Sequence, residues 1–137
     1  MEEQRPKEYR HCYGCGEANP KGLHLHMTGA DLGLEAEFTP GEEHQGWPGM
    51  VHGGVLASLL YELMENAPFF KGLTTVSKSM ETRFRRPAKI GETLRVSSLL
   101  LDHTGRELSV SATLRRPDGK VVAEGTAVLV EIEPAQP

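Results

Sequence analysis

The chain has 137 residues, 38% of them hydrophobic and 25% charged, with a formal net charge of -4. That suits one domain around one core, gives no global pull toward nucleic acid or an anionic membrane, and interleaves no aromatics with basic residues for base stacking. No apolar run approaches the ~20 residues of a membrane span, MEEQRPKEYR is not a signal peptide, and two cysteines make no disulfide framework, so a reducing, cytoplasmic setting is expected.

Residues 1–10 read as a polar tail, 11–133 as a single domain and 134–137 as a second tail. HCYGCGEANPKG is turn-rich and irregular. Leu23, Leu25 and Met27 alternate with histidines and predict a short strand, and Gly33 to Phe38 predicts another, with Leu34, Ala36 and Phe38 on one face. TPGEEHQGWPG reads as a loop. Val55 to Ala67 predicts the one substantial helix: at 100° per residue Val55, Leu56, Leu59, Leu60, Leu63, Met64 and Ala67 share one arc, and Pro68 stops the run. Four strands follow, over Thr74 to Arg85, Glu92 to Leu101, Glu107 to Arg115 and Lys120 to Ile132, with RPDGK as the turn between the last two. In the first of these, Ser77 falls in phase with Arg83 and Arg85 on a polar face. The order predicts an α+β domain, its late strands joined as a meander. One helix covers only part of one sheet face, which suggests a dimer.

The stretch GMVHGGVLASLLYELM sends a glycine pair straight into the helix. A helix start leaves N–H groups unpaired at the positive end of the dipole, and Gly53 and Gly54 carry no Cβ to keep a ligand oxygen away. His52 is placed to orient the turn or a water. The same glycines equally suit a turn that passes close to another segment, and spacing alone leaves both readings open.

Three motifs change the weighting. CYGCGEANPKGLHL, GMVHGGVLASLLYELM and RFRRPAKIGETL occur in this order and spacing, and together they resemble hotdog-fold acyl-CoA thioesterases, in particular the phenylacetic-acid-pathway-like group. The resemblance runs from about Cys12 to Leu94. It implies a curved antiparallel sheet wrapped around one central helix, and two protomers with sites at their interface in a homodimer or homotetramer. It also implies an acyl-CoA substrate, polarisation of the thioester carbonyl at Gly53 and Gly54, and a carboxylate from the partner's helix as base or nucleophile. No cofactor is implied.

The family's usual acid lies nine residues after the motif histidine, and that position here is Tyr61. A phenol is protonated near neutral pH and is a poor base. Glu62 is adjacent but points about 100° away, whereas Glu65 lies one turn on, on roughly the side of Tyr61. Three readings stand: Glu62 or Glu65 activates water; Tyr61 donates or anchors a water; or the domain binds acyl-CoA without hydrolysing it. Ser77 matches a position where related thioesterases carry a site hydroxyl. His44 and Asn66 are further pocket candidates, and Trp47, Phe69 and Phe70 are candidate walls of an acyl tunnel.

Arg83, Arg85, Arg86 and Lys89 form a basic group suited to coenzyme A phosphates, and equally to a solvated sheet edge. Cys12 and Cys15 have the spacing of half a zinc site, and His11, His24 and His26 are candidates to complete it, but no second cysteine pair follows and no metal is expected.

Overall fold

A computed structural model describes residues 9–30 and 33–133. Most of the tail expected over 1–10, and all of that over 134–137, lies outside them. Among the described residues there are six strands and one α-helix: β1 (Thr28–Ala30), β2 (Gly33–Phe38), α1 (Gly53–Asn66), β3 (Thr75–Phe84), β4 (Leu94–Thr104), β5 (Glu107–Arg115) and β6 (Val121–Glu131). No helix among them is long and apolar enough to cross a membrane.

The strands form one antiparallel sheet in the order β1-β2-β4-β5-β6-β3. The expected α+β composition and single helix hold, but the sheet wrapped around that helix does not. The sheet is open, neither closed nor strongly curled. Its edges are β1, three residues long, and β3, which pairs only with β6, so the edges never meet and α1 lies across one face. The helix crosses the central strands β4, β5 and β6. Leu56, Leu59, Leu60, Leu63 and Met64 point into a core shared with Leu94, Val96, Leu108, Val110, Leu114 and Leu129. Burying each large aliphatic side chain contributes roughly 1.5–3 kcal/mol relative to exposure.

The meander covers only β4, β5 and β6; β3 precedes them in the chain yet lies beyond β6. Leu23, Leu25 and Met27 are buried between exposed histidines as their alternation predicts. They form no strand, because the Leu23 and Leu25 N–H groups donate to the Tyr13 and Gly14 carbonyls of the preceding turn (2.7 and 2.9 Å). β4 runs to Thr104, three residues past its expected end, and the hairpin turns at Gly105 and Arg106, with Gly105 at φ 62°.

A β-bulge in β3 re-aims a candidate residue. Ser77 is opposite Leu129, Ser79 is opposite Val128, and Lys78 is the extra residue between. A bulge shifts the alternation by one. Ser77 therefore shares the face of Leu129, Met80 and Phe84, toward the helix, while Arg83 stays opposite Glu124 on the other face. The strict alternation that grouped Ser77 with Arg83 and Arg85 fails at this residue.

Candidate active site

The loop before α1 is braced at several points. Trp47 to Met50 is a tight turn closed by the Met50 N–H donating to the Trp47 carbonyl (2.9 Å), with Gly49 at φ 80° after Pro48, the type II pattern that favours glycine. Gln45 Oε1 accepts from the Gly49 N–H (2.6 Å). His44 sits in a short 3-10 turn, its Nδ1 accepting from the Gly41 N–H (3.0 Å) and its ring edge-on to Phe38. Its carbonyl accepts from the His52 N–H (2.8 Å). His44 thus positions the loop that delivers His52.

His52 is the N-cap of α1. Its Nδ1 accepts from the Gly54 N–H (2.8 Å), so the ring hydrogen lies on Nε2. One donor of the glycine pair is therefore spent inside the chain. The Gly53 N–H is one of the donors a helix start leaves without an intrahelical partner, and among the described residues no acceptor meets it. A Cβ at Gly54 would lie 3.0 Å from His52 Nδ1, whereas one at Gly53 would meet nothing nearer than the Phe84 ring at 3.7 Å. Phe84, half exposed on β3, borders this helix end, a neighbour that only the pairing of β3 with β6 brings there.

A second group of sequence candidates lies near the C-terminal end of the helix. Ser77 donates to Glu65 Oε2, and the Tyr61 phenol hydrogen-bonds to the same carboxylate from one turn away. Burial pushes the Glu65 carboxyl above its ordinary value, and the Ser77 and Tyr61 hydrogen bonds hold it partly down. Three sequence candidates, Tyr61, Glu65 and Ser77, thus form one cluster. Glu62 points elsewhere: Asn66 Nδ2 donates to its carbonyl (2.7 Å) and to its Oε2 (3.2 Å), and the Asn66 side chain is buried in doing so. Asn66 therefore braces the helix end, away from the Glu65 cluster.

The basic group is largely spent locally. Arg83 pairs with Glu81 (2.9 Å), Arg85 donates to Glu124 through Nε (2.9 Å), and Arg86 Nη1 donates to the Val121 carbonyl (2.8 Å). Lys89 differs. Its ammonium makes no ion pair among the described residues, and its backbone bridges to Met50 in the loop leading to His52. Trp47 lies before α1 and Phe69 and Phe70 after it, so the 14-residue helix, about 21 Å long, separates these aromatics within one chain.

The Thioesterase-like superfamily matches residues 48–133. The chain belongs to that superfamily, which bears out the resemblance to hotdog-fold thioesterases. It is 29% identical over 101 residues to the acyl-coenzyme A thioesterase THEM4 of Rattus norvegicus, covering 73% of this chain and 44% of that protein. The chain thus spans less than half the length of this curated relative. A thioesterase superfamily protein of known crystal structure superposes with a TM-score of 0.84 at 29% identity, covering 88% of this chain and 60% of the other. A phenylacetic acid degradation-related protein of Ralstonia eutropha superposes with a TM-score of 0.71 at 25% identity, covering 79% and 85%.

Proposed function

We propose that this member of the superfamily hydrolyses acyl-CoA thioesters: acyl-CoA + water gives carboxylic acid and coenzyme A. The observation that carries the reading is the Glu65 carboxylate, raised by burial and held between the Ser77 hydroxyl and the Tyr61 phenol. A base works best with its pKa moved toward the working pH. Glu65 takes a proton from water, the water oxygen attacks the thioester carbon, and the Gly53 N–H stabilises the developing oxyanion. The C–S bond then breaks, and the departing thiolate takes the proton back from Glu65. Tyr61, at the position where related enzymes carry their acid, fixes the orientation of Glu65 instead. Lys89 offers its charge to the coenzyme A phosphates, and His52 holds the first turn of the helix in place.

Gly53 and Glu65 are twelve residues apart on one helix, about 18 Å along its axis. Reacting groups must approach to about 3–3.5 Å. One chain therefore does not complete the site. In this reading two protomers do, one giving the helix start and the other the carboxylate cluster, in a homodimer or an assembly of homodimers.

The test is steady-state release of free thiol from short-, medium-, long-chain and aryl acyl-CoA. Turnover above the uncatalysed rate for any of them supports the reading. Tyr61 at the usual acid position favours a second reading, an acyl-CoA-binding protein without hydrolysis; saturable binding with a flat turnover panel selects it. Absence of both turnover and binding overturns both readings.

A further inference from the structure

Outside the Glu65 cluster one set of side chains remains unabsorbed by the proposed chemistry. Cys12, Cys15 and Glu62, all half-buried, bring their two Sγ atoms and a carboxylate oxygen within 4.8 Å of one another. The sequence offers histidines as the completing ligands, but His24 turns its ring to the Asn19 carbonyl, and none joins this group among the described residues. The third ligand comes from the middle of α1, about fifty residues away in the chain.

We propose that Cys12, Cys15 and Glu62 bind a divalent thiophilic cation, Zn2+ before others, which pins the N-terminal turn to the helix. Two thiolates with one carboxylate are a borderline-soft donor set suited to zinc and poor for magnesium or calcium. A tetrahedral ion with Zn–S near 2.3 Å and Zn–O near 2.1 Å needs its ligand atoms about 3.5–3.8 Å apart, so side-chain movements on the order of 1 Å close the site. The fourth position is left to water.

The surroundings are built to hold this geometry. The Cys12 carbonyl accepts from the Gly16 N–H (2.9 Å), and the Tyr13 and Gly14 carbonyls accept from Leu23 and Leu25, so the turn carrying both thiols is tied down on two sides. A Cβ at Gly14 would lie 2.0 Å from Glu62 Cδ; glycine there lets the turn close over the carboxylate. Asn66 Nδ2 donates to Glu62 Oε2 (3.2 Å), orienting the carboxylate as outer hydrogen bonds orient metal ligands. This site takes Glu62 out of consideration as the base and does not depend on the assignment of Glu65.

Binding displaces the thiol protons, two per ion, so the reduced protein titrated with Co2+ in weak buffer acidifies as it binds. The expected result is one Co2+ per chain, a thiolate-to-cobalt charge-transfer absorption, and its loss on adding Zn2+. The chain has only two cysteines, so the thiolate signal is unambiguous. Zn2+ also protects both thiols of the unaltered protein from alkylation, a readout that needs no variant to fold. Glu62→Gln raises the dissociation constant about tenfold or more while keeping the thiolate absorption, and Cys12→Ser with Cys15→Ser abolishes it. Lack of a thiolate band, metal that binds without protecting the thiols, or an unchanged dissociation constant in Glu62→Gln overturns the three-ligand site.

Discussion

Gly53→Ala separates a substrate-facing glycine from a structural one. The added Cβ would meet Phe84 Cε1 at 3.7 Å and Cζ at 3.8 Å, ordinary van der Waals contact, and Gly53 is not among the positive-φ glycines. Alanine therefore fits within the chain. Replacing glycine in a helix lowers the entropy of the unfolded state and stabilises by about 0.5–1 kcal/mol, which at this chain length raises the melting temperature by a few degrees. The reaction responds in the opposite direction. An oxyanion must lie about 2.7–3.1 Å from its donor, and loss of one such donor costs about 10²–10³ in kcat. A methyl group beside the Gly53 N–H keeps the carbonyl oxygen from that approach. Thermal unfolding and steady-state thiol release on the same preparation read both effects. A variant as stable as the parent and at least 100-fold slower supports the proposed role. Unchanged turnover refutes it, because the close approach that glycine permits would then be unnecessary. Gly54→Ala is the contrast: its Cβ, 3.0 Å from His52 Nδ1, strains the cap and lowers stability as well.

Glu65→Gln removes the proposed base, and the expected result is loss of turnover. Because the folded-state pKa of Glu65 lies above its unfolded value, the charged form weakens the fold once the pH exceeds the ordinary glutamate range; Glu65→Gln is therefore at least as stable as the parent near neutrality, and a large drop in melting temperature there would contradict this. Ser77→Ala deletes a hydrogen bond that favours the carboxylate, so the acid limb of kcat/KM moves to higher pH; a fixed or lowered limb means another base. Mixing unfolded Gly53→Ala and Glu65→Gln chains and refolding them together restores about a quarter of the parent activity if each site draws on two chains, since half the dimers are mixed and each of those carries one intact site; no recovery in refolded, dimeric protein contradicts the composite site. Lys89→Ala raises KM for acyl-CoA severalfold with kcat unchanged, and raises it far less for an acyl thioester lacking the phosphates.

Much of the fold is legible from short-range pattern. The apolar arc of α1 recurs as the buried face, and β2 and β5 begin and end where alternation and turn residues place them, because both signals act within a few residues. Register and neighbours are less legible. The bulge at Lys78 has no marker in a run of alternating residues, yet it turns Ser77 from the arginine face to Glu65. Placement of β3 beyond β6, rather than beside β4, depends on which strand edges remain open after the meander forms.

By itself the sequence determines the helix, the glycine pair that leads into it, the candidate carboxylates and hydroxyl, and membership of the superfamily, since each is written in contiguous residues. Tertiary structure alone decides their division of labour. Glu62 and Glu65 both stand as candidate bases until the fold sets one against Cys12 and Cys15 and the other against Ser77. It also decides that Phe84 borders the Gly53 end of the helix, and that the sheet stays open. The physical reason is the same in each case. Contacts between separate elements of the chain are selected by the packing of the whole, and local propensity carries no record of them.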